Sequence, residues 1–108
     1  MNSRRLLKGT QHMKTLEEIT KVIREHKREL EVKYKVREIA LFGSYVRGDN
    51  DEKSDLDVLV KFREPVGFLF IHLADFLEEQ LGVAVDLVTE DAIKPNRWKY
   101  IKEDLTYV

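Results

Sequence analysis

The chain has 108 residues, a formal net charge of −1 and no cysteine. That length suits one domain with a single modest core, and the absence of thiols excludes disulfides, thiolate catalysis and zinc–sulfur sites. The near-zero charge gives no global pull toward nucleic acid or anionic membrane, and no apolar run is long enough to span a bilayer, so a cytoplasmic location is expected.

Residues 1–12 show no periodicity and are expected to be a disordered arm or a cloning residue, with His12-Met13 marking the start of the domain proper at 13–108. Thr15-Leu16-Glu17-Glu18 is a capping box, because Thr15 can accept from the amide of Glu18 while Glu18 reaches back. The helix it opens is expected to run to about Lys33, with Leu16, Ile19, Ile23 and Leu30 as its apolar stripe. His26 lies near that stripe and has no partner ligand at i+4, so it reads as a scaffold residue.

Arg37–Phe42 is expected to be a short buried strand leading into Gly43. Ser44 to Arg47 then make about one helical turn, which Gly48 can end in a left-handed conformation. Arg47 is either a solvated charge or, through its phosphate-matching fork, a ligand contact at the mouth of a site. Asp49 to Lys53 is polar turn material, and Ser54 can hydrogen-bond the loop backbone beside Asp55. Leu56–Val60 reads as a second strand. After the loop Arg63–Gly67, Phe68–Leu81 is an apolar helix stopped by Gly82, with Leu69, Leu73, Phe76, Leu77 and Leu81 facing the core. His72 and Asp75 on that helix read as peripheral.

Val83–Thr89 is a third strand, interrupted by Asp86. A carboxylate among apolar neighbours is costly unless it is paired or reaches water at a strand end. Pro95 or Asn96 begins the last helix, whose Trp98, Tyr100, Ile101 and Leu105 are expected to pack on the sheet. Tyr100 and Tyr107 have a second reading, as residues lining a pocket or a partner surface. The fold class that follows is α/β (α+β), a small mixed or antiparallel sheet of three or more strands packed with helices.

The chemistry concentrates between Leu41 and Phe62. Side chains two apart on a strand share a face, so Asp55 and Asp57 stand side by side, roughly 7 Å apart. Two carboxylates that close repel, and a hard cation relieves them. Mg²⁺ favours one or two carboxylates together with substrate phosphate oxygens. Gly43 allows close backbone approach, and the turn at Ser44 offers N–H groups to a phosphate. Phosphate donors beside a metal dyad describe a nucleoside triphosphate site.

Gly43-Ser44, ten intervening residues and Asp55-x-Asp57 resemble the signature of the DNA polymerase β-like nucleotidyltransferase superfamily. The longer string GSYVRGDNDEKSDLDVLV is similar to the minimal nucleotidyltransferases of prokaryotes, often the antitoxin half of a pair with a HEPN-domain toxin. The resemblance covers about Ile39 to Val108 and is looser for the preceding helix. It implies the nucleotidyltransferase fold, Gly43 and Ser44 as nucleotide-binding residues, and Asp55, Asp57 and Asp86 as catalytic metal ligands for two Mg²⁺ ions; Arg47 joins the nucleotide-binding set through the match of its fork to phosphate. It also implies ATP as substrate and AMP transfer to a tyrosine of a HEPN toxin. Two other readings stand beside this one. The same fold serves a non-catalytic antitoxin that masks its partner, or a transferase acting on RNA or a small molecule. The short, near-neutral chain shows no basic face or second domain for the latter.

Overall fold

The computed structural model describes residues 14–108, so the expected arm at 1–12 and the His12-Met13 start lie outside the described residues. The chain runs α1 (Leu16–Glu25), α2 (Lys27–Val32), β1 (Val36–Phe42), α3 (Ser44–Arg47), β2 (Leu56–Phe62), α4 (Leu69–Leu81) and β3 (Val85–Val88). A 3-10 turn at Glu90–Ala92, α5 (Pro95–Asp104) and β4 (Thr106–Tyr107) complete it. No helix among the described residues is long and apolar enough to cross a membrane.

The capping box forms as expected. Thr15 Oγ1 accepts from the Glu18 amide at 3.1 Å, and the Thr15 amide donates to Glu18 Oε1 at 2.8 Å. The single helix expected up to Lys33 is instead broken at His26, which sits at φ −108° and ψ 12°. In an unbroken helix the Val22 carbonyl would accept from the His26 amide. Here the ring Nδ1 takes that place, donating to Val22 O at 2.8 Å, while the amide turns to Ile23 O at 3.0 Å. The imidazole also meets Phe76 edge-on, 5.4 Å between centroids, so the break is packed in place.

The sheet has the order β3-β2-β1-β4 and is mixed: β1 runs antiparallel to β2 and β4, and β2 parallel to β3. A parallel pair needs a crossover, and α4 supplies it. Strand alternation sorts the two faces. Ile39, Leu41, Leu56, Val58, Val60 and Leu87 face a core built with Ile19, Ile23 and Leu30 of α1 and α2 and Leu73, Leu77 and Leu81 of α4. Ala40, Phe42 and Leu59 face the other way, against Ile101, Trp98 and Leu105. Each of the fully buried aliphatic side chains contributes about 1.5–3 kcal/mol by leaving water. The large core therefore fixes α1, α2 and α4, while the smaller one holds α5 over only part of the second face.

Leu69 and Phe76 are only partly buried, and Phe68, expected inside the helix, precedes it and is 83% exposed. β3 is shorter than the expected Val83–Thr89. β4 has no counterpart in the sequence reading. Its two residues pair with Ala40 and Leu41, too short a run to show an alternating pattern.

Candidate active site

The second face of the sheet ends in carboxylates. Asp57 shares that face with Leu59, and the register places it between Phe42 on β1 and Asp86 on β3. Asp55 lies two residues earlier, just before β2. The strands thus bring the three expected acids to one end of the sheet, beyond the reach of the α5 core. Asp57 is half-buried, whereas Asp55 and Asp86 are exposed.

Asp57 carries the electrostatic strain of this arrangement. Burial, then the charges of Asp86 and Asp55 and a hydrogen bond with Asp86, push its carboxyl up to about 6 from 3.8; Arg97 pulls the other way. Two carboxyls at hydrogen-bonding distance share a proton when no cation separates them. Among the described residues, no three His, Cys, Asp or Glu side chains are gathered into a ready-made ligand shell. The donor chemistry nonetheless suits a hard divalent ion: all three groups are carboxylates on one face, and their mutual repulsion is what such an ion relieves.

Gly43 is tied to this site in two ways. Its φ of 83° and ψ of −155° are closed to most side chains. A Cβ placed on it would also overlap Asp57 Oδ2. The Gly43 backbone therefore lies directly against the Asp57 carboxylate. The turn of α3 follows at once, with Val46 and Arg47 amides bonded to Gly43 O at 3.0 and 3.1 Å. Gly48 ends it at φ 81°, as expected. The amides at the start of such a turn have no partner within it, which suits them to an anion.

A cleft of about 350 Å³ opens over these groups. One wall is Gly43, Ser44, Arg47, Ser54, Asp55 and Asp57; the other is the Arg97, Tyr100, Ile101 and Asp104 face of α5. Ser54 Oγ accepts from the Asp51 amide at 2.9 Å, holding the loop that delivers Asp55. Asp86 lies beside Asp57 but is not part of the cleft lining. Arg47 is at the mouth, as expected, yet it is engaged: Asp104 lies 2.8 Å and Asp49 3.3 Å from its guanidinium. Contact with a phosphate requires exchanging those carboxylates. Tyr45, behind the turn, is buried in the main core, and burial together with Asp55 and Asp51 raises its phenol above the ordinary range.

The α5 wall was mostly invisible in the sequence. Trp98, Ile101 and Leu105 pack on the sheet as expected. Tyr100 does not; it is 63% exposed and lines the cleft, in keeping with its second reading as a pocket-lining residue. The available signal was the spacing of Arg97, Tyr100 and Asp104 at i, i+3 and i+7, which puts three polar groups on one helical face.

A nucleotidyltransferase domain family matches residues 23–108. The chain belongs to that family. The family's fold and the four-stranded mixed sheet agree: a solved structure described provisionally as a minimal nucleotidyltransferase superposes with a TM-score of 0.72 at 33% identity, covering 91% of this chain and 98% of that one. The protein adenylyltransferase MntA of Thermococcus cleftensis is 46% identical over 97 residues, covering 89% of this chain and 98% of its own length. A toxin–antitoxin crystal structure with AMP-PNP is similar at 26% identity and a TM-score of 0.59, covering 82% of this chain and 68% of that one. The chain is thus a nucleotidyltransferase, and the Gly43–Ser44 turn and strand-borne acids are its candidate catalytic parts.

Proposed function

We propose that this nucleotidyltransferase moves AMP from ATP to a tyrosine hydroxyl of a cognate HEPN toxin and so acts as its antitoxin. The observation that supports the reading is the contact between Gly43 and Asp57, which sets the glycine-led turn of α3 against a carboxylate cluster. The resemblance to an adenylyltransferase and to a toxin–antitoxin structure with AMP-PNP supports the same choice of donor and acceptor class.

In this reading the Gly43–Ser44 turn holds the β- and γ-phosphates, and Arg47 reaches a phosphate or an acidic segment of the partner once it gives up Asp104. Asp55, Asp57 and Asp86 would hold Mg²⁺, as one ion or two; magnesium bound there supplies charge neutralisation for the triphosphate and a lower pKa for the acceptor hydroxyl. The acceptor oxygen forms a bond to the α-phosphorus, the bond to pyrophosphate breaks, and the hydroxyl proton leaves to water. Asp86, outside the cleft lining, serves the acceptor side. The open end of the sheet lets a partner's side chain approach, and the partner completes the acceptor pocket.

The test is to incubate the protein, its partner, ATP and Mg²⁺ and to weigh the partner by mass spectrometry. AMP increments that vanish in Asp55→Ala and Asp57→Ala variants are expected. A silenced partner in a tight complex with no mass change would overturn the catalytic reading in favour of an antitoxin that acts by binding.

A further inference from the structure

The cleft holds two arginines in contrasting surroundings. Arg47 is taken up by Asp104 and Asp49, and the bond to Asp104 ties the α3 turn to the end of α5. Arg97 lines the same cleft. Among the described residues it is within ion-pair distance of no carboxylate. It is also placed against local preference. It sits in the first turn of α5, where the helix dipole disfavours a cation, and no acidic residue shares that turn. Its side chain is exposed, so packing gives little in return. A helix rule broken at a cleft, with only a partial counter-charge to Asp57 in return, marks a functional position.

We propose that Arg97 is a substrate-contacting residue whose guanidinium binds a phosphate of the nucleoside triphosphate, across the cleft from the Gly43–Ser44 turn. The inference rests on the nucleotidyltransferase reading and deepens it by assigning the phosphate-binding cation to α5. Arg97 is available to the incoming nucleotide at once, whereas Arg47 must first release Asp104. The planar guanidinium fork of Arg97 matches two phosphate oxygens. The competing role is a counter-charge for the acids alone, since Arg97 opposes the upward push on Asp57. The two roles differ in what the side chain touches once nucleotide is bound.

Calorimetric titration of Mg·ATP and of adenosine into the wild type, Arg97→Ala and Arg97→Lys separates them, with melting curves to confirm that each variant folds. Loss of charge-assisted hydrogen bonds should weaken Mg·ATP binding to the Ala variant by about tenfold to a hundredfold, with the Lys variant in between. Adenosine binding should not change. Mg·ATP affinity within about twofold of wild type for the Ala variant would overturn the inference alone. So would an equal loss for adenosine, which would put the effect in the shape of the cleft. A wild-type protein that binds no nucleotide would overturn the underlying functional reading together with the inference.

Discussion

Replacing Asp57 with Asn should make the metal-free protein more stable at neutral pH while removing its activity. The folded protein holds the Asp57 carboxyl at about 6, against 3.8 for the free group. The raised value means that the folded state binds more protons than the unfolded one between those limits. Stability from this group is therefore fully present below pH 3.8, declines as pH rises, and is gone above about 6. At 1.36 kcal/mol per unit, the ionised carboxylate costs the folded state about 3 kcal/mol at pH 7.5, or about 2 after allowing for partial solvent screening. Asn keeps the shape and removes the charge, so Asp57→Asn should gain about 2 kcal/mol at pH 7.5, or roughly 8–16 °C in Tm for a domain of this size. Near pH 4 the gain should shrink toward zero. The assay is a set of thermal and denaturant melts from pH 4 to 8 in chelator, where the difference between variant and wild type cancels the titrating groups that do not interact with Asp57. Mg²⁺ should raise the wild-type Tm and leave the variant's unchanged. A variant no more stable than wild type at pH 7.5, or a gain that does not depend on pH, would refute the electrostatic reasoning.

Gly43→Ala forces a side chain into a positive-φ position and onto Asp57 Oδ2, so it should cost upward of about 2 kcal/mol in chemical denaturation and abolish nucleotide transfer. Asp86→Asn should eliminate transfer in a product assay while leaving ATP affinity within about tenfold, or ~1.4 kcal/mol, because its proposed work is on the acceptor side. Asp104→Ala frees Arg47 from its stronger partner; the guanidinium end of the pair is solvent-screened, so denaturant melts should show a midpoint close to that of the wild type.

What was legible in the sequence was local. Gly43, Ser44, Asp55 and Asp57 lie within one strand–turn–strand stretch, where period-two alternation and a glycine's backbone freedom determine the geometry with little help from the rest of the chain. Asp86 was legible for a different reason: a charge inside an apolar run requires an explanation, and the structure gives it by leaving Asp86 exposed to water, in register with Asp57. The break at His26 was not legible, because it depends on an imidazole competing for Val22 O and on Phe76 from a distant helix. Arg97 was not legible because solvated basic residues are ordinary on an outer helix, and only the docking of α5 through Ile101 and Trp98 turns that face toward the acids. β4 needs the finished edge of β1 to exist at all.

As proposed, the Gly43–Asp57 site cleaves ATP between the α- and β-phosphates and leaves AMP on a partner tyrosine. ATP labelled at either the α- or the γ-phosphate, incubated with Mg²⁺, the protein and its partner, tests that most directly. The expected result is α-label on the partner tyrosine, γ-label only in released pyrophosphate, and neither on the partner with Asp55→Ala and Asp57→Ala. Transfer of the γ-label, or α-labelling that survives loss of both acids, would contradict it.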